Sequence, residues 1–200
     1  MAKERLKSPR ARLFVALEVP ERIRSGIVAW GRKELRDPAL RPMGRESLHI
    51  TLAFLGYLPE KEIERLAAIV AESDVAAPSI ELSDPVAKPS PKRARVFALA
   101  AYSPGTVSLQ AELQERLVAA RLYKPEKRPF WPHLTVARVR PEGRGSKLPM
   151  RVAEPPGALS RKLRRPFVGV RVTLYRSNLR PQGAEYIPLA QVELSEDGQR

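Results

Sequence analysis

Apolar residues run unbroken over 13–17 (Leu-Phe-Val-Ala-Leu), too short for a helix and without strict alternation. The run predicts a buried strand over 12–19. Pro20 then opens a predicted helix over 21–36, with Ile23, Ile27 and Trp30 at helical spacing. A strand follows over 47–56, ending at Gly56, and Pro59 starts a second helix whose face is Ile63, Leu66, Ala67 and Val70. That stripe is a core face rather than a cofactor box. Segments 79–82 and 95–101 predict strands flanking a basic turn at 88–93. The clearest helix covers 106–122, with Leu109, Leu113, Leu117 and Ala120 in register. Strands are expected at 131–140, 167–175 and 184–194, the last two as an antiparallel pair. Between them, 141–166 has the Pro, Gly and Arg content of a long surface loop with room for one helical turn.

Strands and helices thus alternate in two rounds, each closing on a similar strand. The expected fold is α+β: two pseudo-symmetric lobes, each an antiparallel sheet with helices on its outer side, facing a central cleft. A single domain over 12–194 is expected, between a basic N-terminal tail at 1–11 and a C-terminal tail at 195–200 that frays.

The two similar strands carry the chemistry. The chain has two histidines, and each heads the pattern His-apolar-Thr-apolar: His49-Ile50-Thr51-Leu52 and His133-Leu134-Thr135-Val136. An alanine follows each, and an Arg-Pro pair lies upstream of each, at Arg41-Pro42 and Arg128-Pro129. Shuffling this composition would place both histidines at the head of the pattern roughly once in 10⁵ trials, so chance is a poor explanation. In a strand, residues i and i+2 share a face. Each segment therefore presents an imidazole and a hydroxyl on one face and buries two aliphatic side chains on the other. A lone strand histidine is ordinarily a solvated or satisfied core residue. Two copies 84 positions apart point instead to related half-structures sharing a cleft.

Composition narrows the classes. With 43% apolar residues in 200, the chain can build one compact core. It has no cysteine, hence no disulfide framework or thiolate metal site, and two histidines leave little for zinc. No cofactor or metal is expected. The apolar run at 13–17 is too short for a signal peptide or membrane span, so a soluble cytoplasmic protein, a monomer with no membrane partner, is expected. The formal charge of +14 is uneven: residues 138–166 carry nine Lys and Arg against Glu142 and Glu154. Such a field draws polyanions, although basic loops are often only solvated.

The paired tetrads resemble the H-x-T-x signatures of the 2H phosphoesterase superfamily. Within it, the resemblance is to the bacterial and archaeal RNA 2′,3′-cyclic phosphodiesterases, also called 2′-5′ RNA ligases. Further segments share it: Arg12-Leu-Phe-Val-Ala-Leu, Leu48 to Gly56, Arg128 to Arg138, Val172-Thr-Leu-Tyr175 and Tyr186-Ile-Pro-Leu189. It covers about 12–194, weakly over 141–166. It implies the same bilobal fold, with RNA 2′,3′-cyclic phosphate ends or cyclic nucleotides as substrates and metal-independent hydrolysis to the 2′-phosphomonoester.

Opening a cyclic phosphate needs one group to deprotonate the attacking water and another to protonate the departing ribose oxygen. Histidine titrates near neutrality and suits both tasks. Thr51 and Thr135 hydroxyls can donate to the phosphoryl oxygens, although β-propensity alone also favours Thr in strands. The near-identical tetrads do not say which histidine does which. The resemblance assigns His49 as donor to the leaving 3′ oxygen and His133 as the acceptor that activates water. It also matches Arg138 to an active-site arginine. Five residues after His133, Arg138 has the wrong strand parity for the cleft and would need a bulge. Phe54, at the same offset in the first tetrad, could flank a base, with core packing the favoured expectation. Two other functions stay open: 2′-5′ RNA ligation or hydrolysis of small cyclic nucleotides by the same groups, and a non-catalytic RNA-binding module.

Overall fold

A computed structural model describes residues 9–73, 76–180 and 183–195. The expectations for the N-terminal tail before residue 9 and for fraying after 195 lie outside these residues. The strands are β1 (Arg10–Glu18), β2 (Leu40–Pro42), β3 (His49–Pro59), β4 (Ser79–Lys88), β5 (Val96–Tyr102), β6 (His133–Val139), β7 (Phe167–Val168), β8 (Arg171–Arg180) and β9 (Gly183–Glu193). The helices are α1 (Glu21–Glu34), α2 (Ile63–Ala71), α3 (Pro104–Ala119) and the single turn α4 (Arg161–Arg164).

All pairings are antiparallel, in the order β7-β4-β5-β6-β3-β1-β8-β9, with β2 beside β6. Two four-strand halves, β3-β1-β8-β9 and β6-β5-β4-β7, meet at one residue pair, Ile50 opposite Leu134. The two expected sheets are therefore halves of one curled sheet joined at the tetrads. Each half borrows strands distant in sequence, so neither lobe is a continuous segment.

The helices pack on one face. Ile23 and Ile27 of α1, Leu66 and Val70 of α2, and Leu109, Leu113 and Leu117 of α3 join Leu13, Val15 and Leu17 of β1 in one core. The other face of β1 is also covered, because Phe14 and Ala16 form a small second cluster with Tyr175. Burial on both faces is why the 13–17 run is continuously apolar. A fully buried Leu such as Leu17 contributes about 2 kcal/mol of transfer free energy. Ser103 caps α3, its Oγ accepting from the Thr106 amide at 3.0 Å.

Several expectations shift: β4 runs on from 82 to Lys88, and the strand expected at 167–175 divides into β7, paired with β4, and β8, paired with β9. β3 continues past Gly56 to Pro59, because Gly56 adopts φ +71° beside a bulge rather than stopping the strand. A short 3₁₀ turn, Glu60–Glu62, precedes α2, which therefore starts after Pro59 at Ile63. β2, only three residues long, has too little periodicity to be read from sequence. Segment 141–166 is strapped to the outer side. Asp37 Oδ2 accepts from the Ala153 and Glu154 amides at 2.7 and 2.9 Å, and Asp84 Oδ1 accepts from Leu159 at 2.8 Å. Leu163 of α4 lies so close to Gly26 of α1 that a side chain there would meet it. Among the described residues, no helix is long and apolar enough to cross a membrane.

Candidate active site

The two tetrads run antiparallel through the Ile50–Leu134 pair, whose side chains are fully buried. Extending that register places His49 beside Thr135 and Thr51 beside His133, related by a pseudo-twofold axis through the junction. His49 and Thr51 share the face of Glu18 and Ala16 on β1, and His133 and Thr135 share the face of Ala100 and Ala98 on β5. The structure thus brings all four predicted side chains to one side of the junction.

Each tetrad then bulges at its fourth residue. Ala16 pairs with Thr51 while Val15 pairs with Ala53, which leaves Leu52 as the extra residue. Ala98 pairs with Thr135 while Phe97 pairs with Ala137, which leaves Val136 as its counterpart. Both extra side chains are buried, and the freed Val136 carbonyl accepts from the Met43 amide at 2.8 Å. A bulge inverts strand parity. Arg138, opposite Val96, therefore lies on the same face as His133 and Thr135, and Phe54, opposite Phe14, on the same face as His49. Phe54 is not core: it is 41% exposed, with the Arg12 guanidinium 4.5 Å over its ring. It shares a cavity of about 580 Å³ with Thr51, His133 and Trp131.

The two imidazoles sit in different surroundings. The His133 ring stacks on Trp131 at 4.4 Å, and Lys88 Nζ lies 4.4 Å from the Trp131 ring. Its Nδ1 is 2.7 Å from the Trp131 carbonyl oxygen. A carbonyl only accepts, so Nδ1 carries a proton, and in the neutral tautomer Nε2 is the acceptor. His49 instead stacks on Phe14 at 5.1 Å and lies edge-on to Tyr186 at 5.4 Å. Its Nδ1 is buried without a well-formed hydrogen bond, the Glu46 carbonyl approaching only loosely. Burial pushes the His49 pKa down to about 4, against the pull of the Glu18 carboxylate, while the His133 and Arg24 charges add to the fall.

Glu18 was missed by sequence reasoning. It is buried and directly opposite His49. Oε1 accepts from Thr173 Oγ1 at 2.6 Å and Tyr175 OH at 2.8 Å, and Oε2 lies 3.4 Å from both Arg24 and Arg171. Burial raises its pKa, but the two hydroxyls and then the two guanidiniums hold it below the usual carboxylate range. Burial, then Glu18, pushes the Tyr175 hydroxyl upward. A lone acid ending an apolar strand was the available signal, but nothing in the sequence pairs it with His49. Among the described residues, no three His, Cys, Asp or Glu side chains come together as a metal-binding group.

Residues 18–165 match the 2′-5′ RNA ligase superfamily. The RNA 2′,3′-cyclic phosphodiesterase of Methanocaldococcus jannaschii is 27% identical over 175 residues, covering 88% of this chain and 96% of that protein. The Escherichia coli enzyme of the same name is 27% identical over 187 residues, 92% of this chain and 97% of its own. In structure, E. coli LigT complexed with 3′-AMP superposes with a TM-score of 0.74 at 26% identity, over 93% of this chain and 99% of LigT. A Thermus thermophilus protein gives 0.74 at 28% identity, over 92% and 97%. The repeated tetrads, the curled sheet and a match across most of the length converge: this chain belongs to the 2′-5′ RNA ligase superfamily.

Proposed function

We propose that this chain hydrolyses 2′,3′-cyclic phosphodiester ends of RNA, or cyclic nucleotides, to 2′-phosphomonoesters, with His133 as base and His49 as acid. The observation that carries this is the His133–Trp131 hydrogen bond, which selects the neutral tautomer with Nε2 as acceptor in a residue that lines the cleft. A water attacks phosphorus and gives its proton to that Nε2. The P–O3′ bond breaks, the 3′ oxygen takes a proton from His49, and the phosphoryl group stays on O2′. Thr51 and Thr135 donate to the non-bridging oxygens, and Arg138 adds positive charge where negative charge builds up.

His49 must be protonated to act as acid, yet at pH 7 a pKa of about 4 leaves roughly one ring in a thousand charged. A phosphodiester anion beside the ring raises its pKa by about one to three units, which brings proton donation into range only when substrate is bound. The same steps with an RNA 5′-hydroxyl attacking phosphorus in place of water break P–O3′ and leave a 2′-5′ linkage, so weak 2′-5′ ligation is inherent in the mechanism. The cytoplasm, where processed RNA ends arise, is the compartment this function implies. LigT complexed with 3′-AMP supports a nucleotide-sized ligand for this fold. The direct test is incubation of a 2′,3′-cyclic-phosphate-ended oligonucleotide with the chain, followed by product analysis. Formation of the 2′-phosphate is expected, and a 3′-phosphate product would overturn the proposed cleavage of P–O3′.

A further inference from the structure

Beyond the tetrads, a second cavity of about 460 Å³ adjoins the cleft and is lined by Arg12, Arg41, Arg138 and Arg180 together with Tyr186. Its floor is a conflict in electrostatics. Arg41 and Arg138 are directly opposite across β2 and β6, where like charges destabilise a pair of strands. Some guanidiniums elsewhere in the chain meet carboxylates, as Arg24, Arg45, Arg116, Arg164, Arg171 and Arg176 each do within 4.0 Å, while others are solvated at the surface. Among the described residues, neither Arg41 nor Arg138 has such a partner. Arg12 contacts only neutral groups, with Nη1 2.5 Å from Ser177 Oγ and its guanidinium over Phe54. Arg180 alone is paired, with Glu185 at 3.2 Å. Three cations without a carboxylate partner thus converge on one hollow, two of them as a directly opposed pair, which makes it a surface suited to an anion.

The position says which anion. Tyr186 lines this cavity and also lies edge-on to His49, so the hollow is one ring away from the proposed acid. Arg12 connects it to Phe54 and hence to the cavity of Thr51 and His133. A third cavity continues beyond, sharing Arg12 and Arg180 and adding Arg10 and Arg176, the last paired with Glu60 at 3.1 Å. The cationic residues thus form a track leading away from the reacting phosphate. The basic turn Arg161–Arg164 is not on it, because Leu163 anchors that turn against α1 on the core side of the sheet.

We propose that the Arg41–Arg12–Arg180 cavity binds the phosphate preceding the cyclic end of an RNA chain, making the enzyme selective for oligonucleotides over cyclic mononucleotides. This rests on the hydrolytic function proposed above. Arg138, at the border, serves the reacting phosphate, and Arg41 reads the next one.

The test compares kcat/KM for a 2′,3′-cyclic mononucleotide, the corresponding dinucleotide with a cyclic end, and the same dinucleotide with an uncharged methylphosphonate linkage. The wild-type chain is expected to prefer the charged dinucleotide over the mononucleotide by tenfold or more and to lose most of that preference with the methylphosphonate. Arg41→Gln should collapse the preference toward one, Arg41→Lys should restore part of it, and the log–log salt slope for the dinucleotide should fall by about 0.7 in Arg41→Gln. Replacing Arg161, Lys162, Arg164 and Arg165 together should leave the preference intact. Equal turnover of all three substrates by the wild type would overturn the subsite while leaving the hydrolytic function standing. Turnover of none would overturn both. A preference that survives the methylphosphonate would show that the base, not the phosphate, is read, and would also overturn it.

Discussion

Glu18 and His49 face each other across β1 and β3, a buried carboxylate opposite a half-buried imidazole whose pKa desolvation has lowered to about 4. The carboxylate is held ionised by Thr173, Tyr175, Arg171 and Arg24. It is the charge on this side of the cleft that favours a proton on His49, against burial and the cationic surroundings.

Replacing Glu18 with Gln keeps the shape and removes that charge. The His49 pKa should fall further, and each unit lost lowers its protonated fraction at pH 7 tenfold. The expected result is a kcat/KM about five- to fiftyfold lower at pH 7, with the deficit narrowing as pH falls toward the His49 pKa. A pH profile that overlays the wild type would remove Glu18 from the acid's environment.

His49→Ala and His133→Ala should each lower kcat on a cyclic mononucleotide by about 10²–10⁴, the usual worth of one proton-transfer group. Circular dichroism should be unchanged for His133→Ala, because that ring packs only on Trp131 at the cleft. Near-wild-type turnover by either variant would end the paired mechanism.

Arg138→Ala should slow mononucleotide and dinucleotide turnover to a similar extent, about ten- to a hundredfold, because the bulge at Val136 brings it to the face of both tetrad residues. Loss confined to the dinucleotide would move Arg138 into the neighbouring subsite.

Hydrolysis should persist in excess EDTA, since among the described residues no acidic or histidine cluster offers metal ligands. Activity that disappears on chelation and returns with a divalent ion would contradict the side-chain-only mechanism.

Asp37 predicts an acid-labile strap. The Glu154 amide first, then that of Ala39, lowers its pKa, against burial, with the Ala153 amide adding to the fall. A depressed carboxylate contributes stability that is full above its unfolded pKa, about 3.9, and is lost as pH falls through the folded value. Hydrogen exchange at residues 153 and 154 should therefore accelerate below about pH 4, and Asp37→Ala should reproduce that acceleration at neutral pH. Equal protection in the variant would show that Trp30 Nε1, which donates to the Ala158 carbonyl at 3.1 Å, and Asp84 hold the segment without it.

Much of the site is legible in the sequence because a strand's two-residue period is rigid. His49 with Thr51, and His133 with Thr135, share a face as soon as a strand is assigned, and the duplication supplies the second half. Phe54 and Arg138 are not legible by that period. Their faces depend on extra residues at Leu52 and Val136, which alternate like ordinary strand positions and reveal a bulge only through the partner strand's register. Charge density along the chain does not mark the hollow beside the cleft. Residues 138–166 hold nine Lys and Arg, yet of these Arg138 alone lines the hollow beside the cleft, where it meets Arg12, Arg41 and Arg180 from distant segments.

By itself the sequence determined the local matters: which segments are strands and helices, which faces are apolar, and that two matched imidazole–hydroxyl pairs exist. These follow from backbone periodicity and side-chain chemistry, which act over a few residues. Only the tertiary structure decided that the halves join at Ile50 and Leu134, that Glu18 stands opposite His49, and that Arg41 stands opposite Arg138. Strand pairing between distant segments sets those neighbours. The proton affinity of a half-buried imidazole, and the anion that a cluster of guanidiniums suits, depend on burial and on charges within a few ångströms rather than on neighbours along the chain.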